Sequence, residues 1–136
     1  MHPGAGCYEG TLANGLLFRF PELKNLPRAG IVHRLDKDTS GIILVARNEK
    51  FRNYFVSLLQ ERKVKKNYKA IVVGKTIGSF KITNPIGRDK NNRTKMSIRP
   101  DGKEAITFVK LEESYQNYSL LDVSIETGRT HQIRVH

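Results

Sequence analysis

Residues 48 to 62, NEKFRNYFVSLLQER, place Phe51, Tyr54, Phe55, Leu58 and Leu59 at i, i+3, i+4, i+7 and i+8. That spacing paints one face of a helix, and Asn48 ahead of it suits an N-cap. A second helix is predicted from a Thr11 cap to about Phe20, with Leu12, Leu16 and Leu17 on one side. Pro21 and Pro27 then bracket a loop. The unbroken apolar run GIILVAR, 41 to 47, reads as a buried strand. In VKKNYKAIVVG, 64 to 74, Val64, Tyr68, Ala70 and Val72 share one face of a strand. Short strands are expected near 80 to 83 and 94 to 99, around the turn-rich RDKNNR. AITFVKLEE, 105 to 113, and YSLLDVSIE, 118 to 126, read as a hairpin around SYQN, with Leu121, Val123 and Ile125 alternating with Asp122, Ser124 and Glu126. In the closing ETGRTHQIRVH, Thr130 is placed to start a helix with His131 and Val135 on one face. The order predicts an α+β domain with a mixed, largely antiparallel sheet and flanking helices.

The length, 136 residues, suits one domain. No apolar run approaches the ~20 residues that span a bilayer, and HPGAG after Met1 lacks the features of a signal peptide. The single cysteine, Cys7, excludes an internal disulfide framework and a Cys-based zinc site, so a reducing cytosol is the expected setting. HPGAG reads as a loop with no strand before it, and the last helix ends without a stop signal. A piece of a larger protein is therefore expected.

Charge changes the picture most. Twenty-four Lys and Arg against thirteen Asp and Glu give +11. Five basic residues fall in RKVKKNYK, 62 to 69, and five in RDKNNRTKMSIR, 88 to 99. Clustered positive charge points to a polyanion, because each neutralised phosphate releases counterions. No basic amphipathic helix points to a membrane surface.

The densest chemistry lies in HRLDKDTSG, 33 to 41. Asp36, Asp38, Ser40 and Gly41 fit the first half of an EF-hand loop, but its twelfth position is Arg47 rather than Glu, which argues against calcium. Magnesium for phosphodiester cleavage would need further converging carboxylates, and none can be assigned. VVGKT, 72 to 76, ends like a P-loop, but Lys69 stands where the first glycine belongs. The sequons NRT, 92 to 94, and NYS, 117 to 119, have no secretory signal to give them meaning. Two readings of HRLDKDTSG stay open. One is a tight turn built on Asp36. The other is a carboxylate acting as nucleophile or acid–base group without a cofactor, kept ionised by an adjacent arginine.

RAGIVHRLDKDTSGIILVAR (28 to 47), KKNYKAIVVG (65 to 74) and ETGRTHQIRVH (126 to 136) appear in that order. Together they resemble the RluA-type family of RNA pseudouridine synthases. HPGAGCYEGTLANGLL resembles its ribosomal-RNA branch, the synthase D type that acts on large-subunit RNA. The resemblance implies a cofactor-free isomerase that breaks the N-glycosidic bond of a uridine and rejoins uracil C5 to ribose C1′, with the base flipped from its stack. It implies that Asp36 is the catalytic residue, as nucleophile or proton acceptor. Tyr68 corresponds to the tyrosine packed on the target uracil. Arg134 corresponds to the basic partner of Asp36, with Arg129 the second candidate or a phosphate contact. Arg34 corresponds to the side chain that fills the space left by the flipped base. Lys37, Lys65 and Lys66 are expected to touch RNA. His33, His131 and Gln132 are expected to brace the site, and Asp38 to stabilise the turn. The family pattern places an NKP-like strand before HPGAG, often an S4 domain, and more sheet and helix after HQIRVH. Residues 1 to 136 are therefore expected to be a partial catalytic domain without the S4 domain. The alternative expectation is an RNA-binding fragment that has lost activity.

Overall fold

The computed structural model describes residues 8–136; HPGAG and Cys7 lie outside the described residues. The chain packs as two compact units, Met1–Lys63 and Val64–His136.

In the first unit, α1 spans Leu12–Arg19. The Asn14 amide donates to the Thr11 side chain at 3.3 Å, and the Thr11 amide donates to Asn14 Oδ1 at 3.0 Å, a reciprocal capping box. The inward face is Ala13, Leu16 and Phe20, packed with Leu23, Leu26, Ala29 and Ile31. Leu12 and Leu17 are exposed, against expectation. The small Ala13 faces the neighbouring turns, and that rotates both leucines outward. Pro21 and Pro27 do not bracket an open loop; Pro21 opens a short 3-10 turn, Pro21–Asn25, and Pro27 opens a tight turn over 27 to 30 that is not helical at Arg28 and Ala29. Proline fits a first turn because it has no N–H to leave unpaired. Arg28, Ala29 and Gly30 all take positive φ, at 57°, 52° and 77°. Gly30 is required there, since a Cβ would lie 2.1 Å from the Ala46 carbonyl oxygen.

GIILVAR is not a strand. It runs extended, with Ile43 and Val45 packed on the core and Ile42 83% exposed, but among the described residues it pairs only through an isolated bridge, Ile31 to Val45. α2 follows over Glu49–Gln60, with Asn48 capping the Phe51 amide at 2.8 Å. Phe55 is buried, while Phe51 and Tyr54 on the same face are exposed.

In the second unit, β1 (Asn67–Val73), β2 (Ser79–Ile82), β5 (Thr107–Ser114) and β6 (Tyr118–Ile125) form one sheet. Its order is β1-β6-β5-β2, and every pair is antiparallel. β3 (Ile86–Arg88), which the sequence pattern did not announce, pairs with β4 (Met96–Ile98) in a separate hairpin. Alternation explains the sheet. Val109, Leu121 and Val123 are buried on one face, with Tyr68, Ala70, Val72, Ile82, Leu111 and Ile125 around them. Burying each large apolar side chain there contributes about 1.5–3 kcal/mol. On the opposite face Lys69 pairs with Asp122 at 2.6 Å and also with Glu112. The last helix, α3, covers Gln132–Val135 rather than starting at Thr130, because His131 sits in the left-handed region at φ 57°. No helix among the described residues is long and apolar enough to cross a membrane.

Candidate active site

Arg34, Asp36 and Lys37 share one loop of the first unit. The Thr39 amide donates to the Asp36 carbonyl at 3.2 Å, closing a turn over Lys37 and Asp38. Asp38 takes φ 66°, a position its short polar side chain tolerates better than most. Arg34 and Lys37 are exposed and Asp36 is half-buried. At the base of the loop the Leu44 amide donates to His33 Nε2 at 2.8 Å. That nitrogen is therefore unprotonated. Burial pushes the pKa of the ring down, which favours this neutral form. The Phe55 ring of α2 stands 6.4 Å away, tilted by 45°.

Lys65, Lys66, Tyr68, Arg129 and Arg134 belong to the second unit. Tyr68 lies on β1 opposite Val123 of β6, half-buried against the Val109, Leu121 and Val123 cluster. Lys66 Nζ stands 3.5 Å from the Glu126 carbonyl and 3.4 Å from that of Thr127, which ties the approach to Tyr68 to the segment before Arg129. Lys65 is exposed.

The GRTHQIR segment is held by Gln132, which is only 3% exposed. Its Oε1 accepts from the Thr127 hydroxyl at 2.8 Å and the Arg129 amide at 3.0 Å. Its Nε2 donates to the Ile106 carbonyl at 3.0 Å and Thr107 Oγ1 at 2.9 Å. All four bonding positions of the side-chain amide are thereby used. Thr107 Oγ1 also meets His136 Nδ1 at 2.8 Å, and His136 Nε2 lies 2.9 Å from the Asn84 carbonyl. The carbonyl can only accept, so Nε2 carries a proton toward it. The expectation that Gln132 braces the segment holds. Thr107, Thr127 and His136 were not singled out from the sequence, since nothing local marks hydroxyls that meet a residue so far along the chain.

Arg129 Nε donates to the Glu104 carbonyl at 2.7 Å, while Arg134 stands exposed on α3. Arg129 also lines a groove of about 430 Å³ with Arg88, Arg99 and Lys103. Part of the second basic run thus faces the groove beside the GR motif, where Arg99 is already paired with Asp101. Among the described residues no cluster of three or more His, Cys, Asp or Glu could hold a metal ion.

The family model for RNA pseudouridylate synthase matches residues 3–136. The chain belongs to this family. Two curated relatives are called ribosomal large subunit pseudouridine synthase D. The one from Neisseria meningitidis serogroup B is 53% identical over 100% of this chain and 37% of its own length. The one from Xanthomonas campestris pv. campestris is 48% identical over 100% of this chain and 41% of its own. The chain thus spans about two fifths of the relatives' length. Among solved structures, human RNA pseudouridylate synthase domain containing 1 superposes with a TM-score of 0.77 at 30% identity, covering 93% of this chain and 54% of the human one. As a member of the pseudouridylate synthase family, the chain has the α+β class read from its sequence.

Proposed function

We propose that the chain carries the reacting part of a cofactor-free RNA-uridine isomerase acting on large-subunit ribosomal RNA in the cytoplasm. The reaction breaks N1–C1′, forms C5–C1′, returns a proton to N1 and releases the C5 hydrogen to solvent. Asp36 acts on the target nucleotide, as nucleophile or as proton acceptor. Tyr68 packs on the uracil, Arg134 supplies the counter-charge, and Arg34 fills the space the flipped base leaves. Lys37, Lys65, Lys66 and Arg129 contact the RNA backbone. The observation that carries this reading is the turn at Asp36, which presents the family's motif carboxylate between the exposed Arg34 and Lys37. Those cations flank a carboxylate that must work among phosphates. They offset the repulsion that an RNA backbone exerts on it. Ribosomal RNA as the substrate follows the names of the relatives.

The test is to incubate the chain with unmodified large-subunit RNA without metal, then map pseudouridines by carbodiimide-dependent primer-extension stops. New stops are expected with the chain and not with Asp36→Asn. Tight binding without new stops would make the chain a binder and overturn the isomerase reading. Metal-dependent cleavage would overturn it in favour of a nuclease.

A further inference from the structure

The loop that carries Arg34, Asp36 and Lys37 leaves and re-enters the first unit beside the Ile31 to Val45 bridge. The Ala46 amide donates to the Gly30 carbonyl at 2.8 Å on the inner side of that bridge. In an antiparallel ladder continued outward, the Leu44 N–H would turn to the carbonyl of Val32. It donates instead to His33 Nε2, at 2.8 Å. A side chain thus takes the place of a backbone acceptor where the two limbs of the loop separate. This accounts for an apolar run that alternates like a strand and yet has no ladder. The bond joins residues 11 apart in sequence, and Asp36 lies between them. The imidazole is itself half-buried beside Phe55, so the joint is anchored to α2.

We propose that His33 is the positioning residue of the Asp36 loop: its imidazole accepts the Leu44 N–H, closes the loop at its base, and so holds Asp36 in the place the isomerisation uses. This rests on the reading of Asp36 as the reacting group. The closure removes conformations in which the loop swings open, and it does so without touching RNA. Burial, which holds the ring neutral, keeps the acceptor available.

Two substitutions separate the hydrogen bond from the ring's packing. His33→Phe keeps an aromatic ring beside Phe55 and removes the acceptor. His33→Gln can place an amide oxygen near the position of Nε2. Amide exchange followed by nuclear magnetic resonance reads the closure without any activity. In His33→Phe the Leu44 and Thr39 amides should exchange about tenfold faster or more, while Ala46, bonded to Gly30, stays protected. In His33→Gln, Leu44 should regain most of its protection. In the isomerisation, His33→Phe should lower kcat about tenfold with KM little changed, and His33→Gln should recover most of that loss. Unchanged Leu44 exchange in His33→Phe overturns the proposal. So does equal kcat in the two variants. Loss of Ala46 protection as well would assign His33 to the core rather than to the loop, and also overturns it. If the unsubstituted chain makes no pseudouridine, the functional reading fails by itself, and the Leu44 and Thr39 amides still decide whether His33 closes the loop.

Discussion

Gln132→Met replaces a buried amide by a side chain of similar length that can neither accept nor donate strongly. Four bonds disappear, but their partners are not equally stranded. The Ile106 carbonyl keeps the Glu126 amide at 3.2 Å, and Thr107 Oγ1 keeps His136. The Thr127 hydroxyl and the Arg129 amide lose their acceptor. Thr127 is 4% exposed and bears the full cost of an unsatisfied donor, about 1–3 kcal/mol. Arg129 is half-buried and can turn to water, so it adds less. Apolar burial of the methionine offsets part of this. The net loss expected is about 2–3 kcal/mol, a large fraction of the 5–15 kcal/mol typical of a domain. Urea titration followed through resonances of the β5–β6 hairpin reads unfolding where the amide is bonded. The midpoint should fall with the slope unchanged. Gln132→Glu should also destabilise at neutral pH, because an oxygen then faces the Ile106 carbonyl. A loss below about 0.5 kcal/mol for Gln132→Met would refute the claim that this amide holds the GRTHQIR segment.

Gly30→Ala, which sets a Cβ against the Ala46 carbonyl at positive φ, should cost at least about 2 kcal/mol in urea unfolding of the first unit. Gly15→Ala is its control. It lies in α1 with nothing within 4 Å of the added Cβ, and should stabilise by roughly 0.5–1 kcal/mol. The His33 pKa is lowered in the fold, so the unfolded chain takes up that proton first as pH falls. Its contribution is therefore whole above the ordinary value of 6.5 and is lost as pH drops from there through the lower folded value. Urea midpoints of the first unit between about pH 7.5 and about pH 5.5 should fall more steeply for the unsubstituted chain than for His33→Gln. Identical slopes would show that the ring's neutrality does not matter.

What could be read from the sequence was whatever depends on neighbours along the chain. The Asn48 cap and the spacing of Phe51, Phe55 and Leu58 define α2, and the alternation in YSLLDVSIE defines β6. The extended run at 41 to 47 misled because apolar content says nothing about where a ladder partner is. Here the partner of the Leu44 amide is an imidazole. In α1 the leucines draw the eye, yet the buried position is Ala13, whose small size matters only once Leu23 and Ala29 approach it. Asp36 and Arg34 were legible as motif residues. The bracing role of Gln132 was legible in kind, but not its partners. Thr107 lies 25 residues from Gln132 and 29 from His136, and no local pattern encodes such meetings.

In the proposed reaction Asp36 drives isomerisation of uridine without a cofactor. The most direct measurement uses large-subunit RNA carrying tritium at uracil C5, incubated with the chain in the presence of a metal chelator. Forming the C5–C1′ bond expels that tritium. Release is expected from the unsubstituted chain and none from Asp36→Asn, with RNA binding by the variant largely kept. Equal release by both proteins would contradict it.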